Sequence, residues 1–332
     1  MNSLAVIGAG SWGTALAIVL APRFPQVRLW VYEADLAARM RQTRDNDVYL
    51  PGCHIPANID ITADLRIALQ SPDVVLSAVP SHLVRQLYQE MLPLLEDKAI
   101  FVSATKGLET ELLLRPSEII NSVVSPRFQP RIAAISGPTF AREVAAFSPT
   151  ALVVSSTDSA VAECIQAKFS GPTFRLYTSS DPVGVEIGGS IKNVVAIGAG
   201  VVHGLGMGHN TLAALITRGL AEMTRLAVAL GGQAKTLSGL AGLGDLVLTC
   251  TGELSRNRAV GIELARGRKL EEIIGSMRMV AEGIKTTSAA IELARRHSVE
   301  MPITEQMYQM LHFGLPPREA VRRLMERSLR GE

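Results

Sequence analysis

Cysteine is scarce in this chain of 332 residues, occurring only as Cys53, Cys164 and Cys250. The three lie far apart, with none of the short spacings that mark zinc sites or redox pairs, so neither a disulfide framework nor a metal site is expected. The expected setting is a reducing cytoplasm. An excess of one charge is lacking too: a net charge of +2 with no block of like residues leaves no electrostatic footprint for nucleic acid. Aromatic residues make up 5% of the chain, too few for base-stacking platforms. No apolar run reaches the roughly 18 residues of a membrane span, and the most apolar stretch, 183–202, contains Glu186 and Lys192. The N-terminus enters a strand within three residues without a preceding basic segment, so no signal peptide is expected. No histidines are paired at metal spacing; His203 and His209 flank a glycine loop and read as turn residues. Serine and cysteine nucleophile elbows are absent, which leaves hydrolase chemistry without support. What remains is a globular composition, 47% hydrophobic and 19% charged, in a chain long enough for two ordinary domains.

The first fourteen residues carry the strongest positive signal. Leu4-Ala5-Val6-Ile7 reads as a buried strand and runs into Gly8-Ala9-Gly10-Ser11-Trp12-Gly13, followed by the small, apolar Thr14-Ala15-Leu16-Ala17. This is G-x-G-x-x-G between a strand and a helix, the context a dinucleotide site requires. Gly8 permits the tight turn, Gly10 lets a pyrophosphate approach the backbone, and Gly13 lets helix and strand pack closely. The helix start then offers free N–H groups and a partial positive charge.

The first half continues this alternation. Strands are expected at 27–32, 73–79, 99–103, 132–135, 151–155 and 173–177, with helices at 34–42 and 81–95. The pattern predicts a doubly wound, parallel Rossmann-type α/β sheet over residues 1–180. From 181 to 332 only helices are expected, at 183–202, 211–230, 258–266, 284–297, 304–313 and 317–329, forming an all-α C-terminal domain for substrate and catalysis. In the last of these Ala320, Val321, Leu324 and Met325 share one face, and the arginine-rich remainder reads as a solvated surface.

Within the first expected helix of that second half stands Lys192. Its helical neighbours Gly188, Gly189, Val195 and Ala196 are small or apolar, and no acid lies at helical spacing. Snorkelling, or pairing with an acid from elsewhere, would explain it; an acid/base role is favoured, because burial lowers a lysine's proton affinity. Asp245 closes the glycine-punctuated segment 239–244 at an expected helix start, where an N-cap is the commoner role. Ser255, Arg256 and Asn257 begin another helix; they would suit a phosphate or carboxylate, although a capped, exposed helix end explains the spacing better. Lys106 and the segment Ser136–Phe140 follow sheet strands, on the rim where open α/β sheets bind ligands.

These residues converge on a family. The ordered blocks GAGSWGTALA (8–17), VPSH (79–82), ATKGLE (104–109), SGPTFAREVA (136–145), GGSIKNVVAIGAG (188–200), TRGLAEMTRL (217–226), GLGDLVLTCT (242–251), SRNR (255–258) and VAEGIKT (280–286) resemble the bacterial NAD(P)-dependent glycerol-3-phosphate dehydrogenases, from residue 4 to about residue 330. The resemblance implies reversible hydride transfer between a nicotinamide cofactor, NAD or NADP, and the sn-glycerol 3-phosphate/dihydroxyacetone phosphate pair, supplying phospholipid synthesis. It implies Lys192 as the group that exchanges a proton with the substrate oxygen. It places Lys106 and Asp245 at the reacting end of the substrate, with Gly137 and Thr139 also in its site. Ser255, Arg256 and Asn257 match the residues around the substrate phosphate. Besides the glycines, Ser11, Trp12, Lys106, Ala141, Arg256, Val280 and Glu282 match cofactor contacts. No metal is implied, and a homodimer is the default assembly of soluble enzymes.

One position departs from that pattern. Where many members carry His or Arg at the end of the second strand, this chain has Tyr32 and then Glu33, twenty residues after Gly13. An acid at that distance accepts hydrogen bonds from the ribose 2′-hydroxyl of NAD and repels an NADP 2′-phosphate. Arg39 and Arg41 on the next helix could reach such a phosphate, so NAD or dual use is expected and strict NADP preference is not. Two competing readings are another Rossmann dehydrogenase with a helical second domain, acting on a hydroxy acid or 3-hydroxyacyl thioester, and a nucleotide-binding redox sensor without turnover.

Overall fold

The computed structural model of the chain describes residues 1–277, 279–329 and 331. They fall into two compact units, Met1–Lys106 with Leu114–Glu186, and Gly107–Leu113 with Ile187–Glu332.

In the first unit strands and helices alternate: β1 (Ser3–Ile7), α1 (Ser11–Leu20), β2 (Gln26–Trp30), α2 (Ala34–Thr43), β3 (Ile59–Thr62), α3 (Leu65–Ala68), β4 (Val74–Ser77), α4 (Val84–Met91), β5 (Ile100–Ser103), α5 (Pro116–Val124), β6 (Arg131–Ser136), α6 (Ala141–Ala145), β7 (Thr150–Ser155), α7 (Ser159–Phe169) and β8 (Phe174–Ser179). They build one sheet in the order β3-β2-β1-β4-β5-β6-β7-β8. The order reverses beside β1, the position at which doubly wound sheets open a crevice for ligands. Along β1, Leu4 and Val6 enter the core on one face while Ala5 and Ile7 enter the core on the other. That two-sided burial is why the strand reads as an unbroken apolar run.

The sheet is not wholly parallel, as the alternation had predicted. β7 runs antiparallel to β6, and β8 then runs parallel to β7. The connection from β6 to β7 holds only the five-residue α6, about 7.5 Å of helix. β3 and α3 also escaped the sequence reading, each being only four residues long.

The second unit is helical from Ile187 onward, with no strand among its described residues. Its helices are the greater part of α8 (Pro182–Gly204), then α9 (His209–Ala229), α10 (Ala234–Leu237), α11 (Asp245–Thr251), α12 (Arg256–Ala265), α13 (Leu270–Ser276), α14 (Glu282–Arg296), α15 (Pro302–Phe313) and α16 (Pro317–Met325). Val194, Ile197 and Val201 of α8 form a core with Met307, Met310 and Leu311 of α15 and Ala320 of α16. Contrary to the expectation from run length, α8 is long and apolar enough to cross a membrane, but its apolar stretch is wholly buried in protein. Its two charges, Glu186 and Lys192, both carry ion-pair partners.

Candidate active site

The nucleotide side of the first unit is built around Gly8. Its φ of +107° is a conformation that L side chains rarely adopt, and a Cβ there would lie 2.7 Å from Val79 Cγ1. A Cβ on Gly13 would fall 1.8 Å from the Gly8 carbonyl oxygen, so only glycine lets α1 start this close to the end of β1. Gly10, by contrast, faces open space. It is the N-cap of α1 and supplies no side-chain cap, leaving the first-turn N–H groups, beginning at Ser11, to a ligand. The buried indole N–H of Trp12 has no acceptor among the described residues. An uncapped helix start, an open glycine and an orphaned donor together fit a dinucleotide pyrophosphate.

Beside this turn Tyr32 is four-fifths exposed and stands edge-on to Trp30. Glu33 precedes α2, and its Oε1 accepts a 2.6 Å hydrogen bond from the Tyr49 hydroxyl. Arg39 is held by Asp35 and Asp47 at 3.1 and 3.3 Å. Ala141 opens α6 and, with Trp12, packs on the same apolar core. Three further candidates from two loops meet in this unit: the Lys106 ammonium donates to the Gly137 carbonyl at 2.8 Å and to Thr139 Oγ1 at 3.0 Å.

In the second unit Lys192 is buried in the middle of α8, and it is not solitary. Its Nζ donates to Asp245 Oδ1 and, at 2.9 Å, to Thr249 Oγ1. Pairing with an acid from elsewhere, one of the readings of this lysine, is what the structure shows: a buried carboxylate sits on the ammonium. Asp245 is not the cap. It is the first residue of α11, its carboxylate turned to Lys192 instead of its own backbone. A close backbone approach enables this, because a Cβ on Gly188 would lie 2.5 Å from the Ala241 carbonyl oxygen. The segment 240–244 thus passes against α8 and delivers Asp245 to Lys192. Thr249 was missed by the sequence reading, although it lies four residues after Asp245 on one helix face. Its hydroxyl donates to the Asp245 carbonyl at 2.6 Å, which aims the oxygen lone pairs at the ammonium.

The Ser255–Asn257 segment opens α12. Ser255 is its N-cap, accepting from the Arg258 N–H at 3.2 Å. Arg256 is exposed and donates to the Val280 carbonyl at 2.9 Å, which joins two cofactor candidates; a third, Glu282, starts α14. Asn257 is buried and donates to Asn193 Oδ1 at 2.9 Å, while its own Oδ1 accepts from the Gly283 N–H at 2.9 Å. Asn193, the neighbour of Lys192, thereby ties the phosphate candidates to the lysine helix, a role no sequence signal announced. Among the described residues no cluster could hold a metal ion. His203 and His209 lie at helix ends rather than in the turn between them.

Comparison with known proteins shows the family. Residues 3–162 match the model described as NAD-dependent glycerol-3-phosphate dehydrogenase N-terminus, and residues 181–322 match the model of its C-terminus. A glycerol-3-phosphate dehydrogenase, NAD(P)+, of Koribacter versatilis is 57% identical over 98% of this chain and 98% of its own. The enzyme of the same description from Geobacter sp. strain M21 is 55% identical over 100% of this chain and 99% of its own. The crystal structure of glycerol-3-phosphate dehydrogenase from Coxiella burnetii superposes with a TM-score of 0.94 at 41% identity, covering 98% of this chain and 99% of the other.

Proposed function

We propose, for a chain that belongs to the NAD-dependent glycerol-3-phosphate dehydrogenase family, reversible interconversion of dihydroxyacetone phosphate and sn-glycerol 3-phosphate with NAD(P)(H). The single observation that carries the residue assignment is the buried group Lys192–Asp245–Thr249. When bound, the nicotinamide exchanges a hydride with the substrate carbon.

The protein's own part is proton transfer and positioning. In reduction the Lys192 ammonium gives a proton to the oxygen that becomes the alcohol; in oxidation the lysine takes it back. Asp245 and Thr249 orient the Nζ and keep the buried charge balanced. Lys106, already aimed by the Gly137 carbonyl and Thr139, offers a second cation to the reacting end of the substrate. Ser255, Arg256 and Asn257 receive the substrate phosphate, where the N-terminus of α12 adds its partial positive charge. Gly8, Gly10, Ser11, Trp12, Gly13, Tyr32, Glu33, Lys106, Ala141, Arg256, Val280 and Glu282 serve the cofactor. The product would feed phospholipid synthesis, in the cytoplasm, by a homodimer; the three free cysteines are compatible with that compartment.

The test is oxidation of NADH or NADPH with dihydroxyacetone phosphate, compared with oxaloacetate and an acetoacetyl thioester. Turnover with dihydroxyacetone phosphate is expected, and activity confined to the other two would overturn the reading. Sedimentation of the purified chain decides the dimer.

A further inference from the structure

The loop after α2 ties the glycine turn to the acid at the end of β2. Asn46 is fully buried, and its side-chain amide donates to the Ala9 carbonyl and to Thr14 Oγ1, both at 2.8 Å. Its Oδ1 accepts from the Tyr49 N–H at 3.0 Å. Tyr49 in turn reaches Glu33 Oε1 with its hydroxyl at 2.6 Å. Three residues thus run from the pyrophosphate turn to the carboxylate by direct hydrogen bonds. The two ends are also neighbours in the sheet, since Ile7 pairs with Trp30 and the Gly8 N–H donates to the Trp30 carbonyl.

Tyr49 is the one side chain among the described residues that donates to Glu33. A carboxylate accepts through both oxygens, so with Oε1 taken by Tyr49, Oε2 can still accept from a hydroxyl donor. The cations nearby are turned elsewhere. Arg39 lies between Asp35 and Asp47. Arg44 donates to the carbonyls of Ile55, Pro56 and Ile59. Arg41 lies eight residues beyond Glu33, roughly 12 Å along a helix axis.

Resting on the dinucleotide reading above, we propose that Tyr49 is a positioning residue: it fixes Glu33 as acceptor for the adenosine ribose hydroxyls, and the pair makes this chain select NAD over NADP. A 2′-phosphate would meet a fixed carboxylate instead of an arginine, and the Asn46 strap keeps that carboxylate from swinging aside.

The experiment is calorimetric titration of the full chain with NADH and with NADPH, in the wild type and in Tyr49→Phe and Glu33→Gln. The wild type is expected to bind NADH about tenfold or more tighter than NADPH, a difference of ~1.4 kcal/mol. Tyr49→Phe is expected to weaken NADH by about 3- to 10-fold with little change for NADPH, the size of one ordinary net hydrogen bond. Glu33→Gln should bring the two affinities within about threefold, mainly by improving NADPH, since it removes the repelling charge. Equal affinities in the wild type, or an unchanged ratio in Tyr49→Phe, would overturn the assignment. So would an equal loss for both nucleotides in Tyr49→Phe, which marks a purely structural role. A wild type that binds neither nucleotide would overturn the dehydrogenase reading as well.

Discussion

The Lys192 ammonium meets the carboxylate of Asp245, 53 residues further along the chain, in a buried pair. Removing one partner of such a pair strands the other charge, which costs about 3–5 kcal/mol, whereas replacing both by apolar groups is often neutral. Asp245→Asn is therefore expected to lower both stability and kcat. The double variant Lys192→Met with Asp245→Leu should recover most of the stability and none of the turnover. Urea unfolding beside steady-state kinetics separates the two effects. A double variant as unstable as Asp245→Asn would mean that packing, not charge, decides this site.

Lys192→Ala alone is expected to abolish turnover while the dissociation constant of the nucleotide changes by less than about threefold. Proton transfer by a positioned group contributes about 10²–10⁴ to a rate, and Lys192 holds Asp245 and Thr249 in the second unit. Near-normal kcat in this variant would move the acid/base role to another residue, with Lys106 the first to examine.

How much of this was legible in the sequence depended on the range of the interaction. The glycine turn was readable because its three glycines act within a few residues of each other; Gly13 packs on Gly8 itself. The direction of β7 was not, because apolar alternation is the same for either direction. Asp245 is the clearest case. Spacing alone favoured a helix cap, and family resemblance alone joined it to Lys192, because the glycine-to-backbone approach that brings them together acts between distant segments. The Asn193–Asn257 bond spans 64 residues and has no periodic signature at all.

Arg256→Ala is expected to raise KM for dihydroxyacetone phosphate by about 10- to 100-fold with a smaller change in kcat. A charged hydrogen bond to a phosphate is worth about 1.5–3 kcal/mol, and an anchor remote from the reacting carbon binds ground and transition states alike. Initial rates over a range of substrate concentration check it. A loss confined to kcat would place Arg256 at the chemistry instead.

Glu222 on α9 is almost fully buried and accepts from the Ile303 and Thr304 N–H groups at 2.6 and 3.1 Å, and from Thr304 Oγ1 at 3.0 Å. It thus caps the start of α15 from a different helix, a job that the cap position itself leaves undone. Glu222→Ala takes the acceptor from three buried donors and is expected to cost about 2–4 kcal/mol. Chemical denaturation should show a lower midpoint at an unchanged slope. Loss below ~0.5 kcal/mol would mean water replaces the carboxylate.

The Tyr49 phenol offers a spectroscopic check on its bond to Glu33. That hydrogen bond, with partial burial, pushes the phenol up to about 12 from its ordinary value near 10. The folded value is the higher one, so the contact's contribution to stability is full below about pH 10 and is lost as the pH rises through about 12. Ultraviolet titration of tyrosinate should therefore show one hydroxyl that is present in the wild type, absent in Tyr49→Phe, and titrating late. In Glu33→Gln the carboxylate's charge no longer opposes ionisation, and the same phenol should move back toward 10. A Tyr49 that titrates near 10 in the wild type would show that its hydroxyl is not on Glu33 in solution.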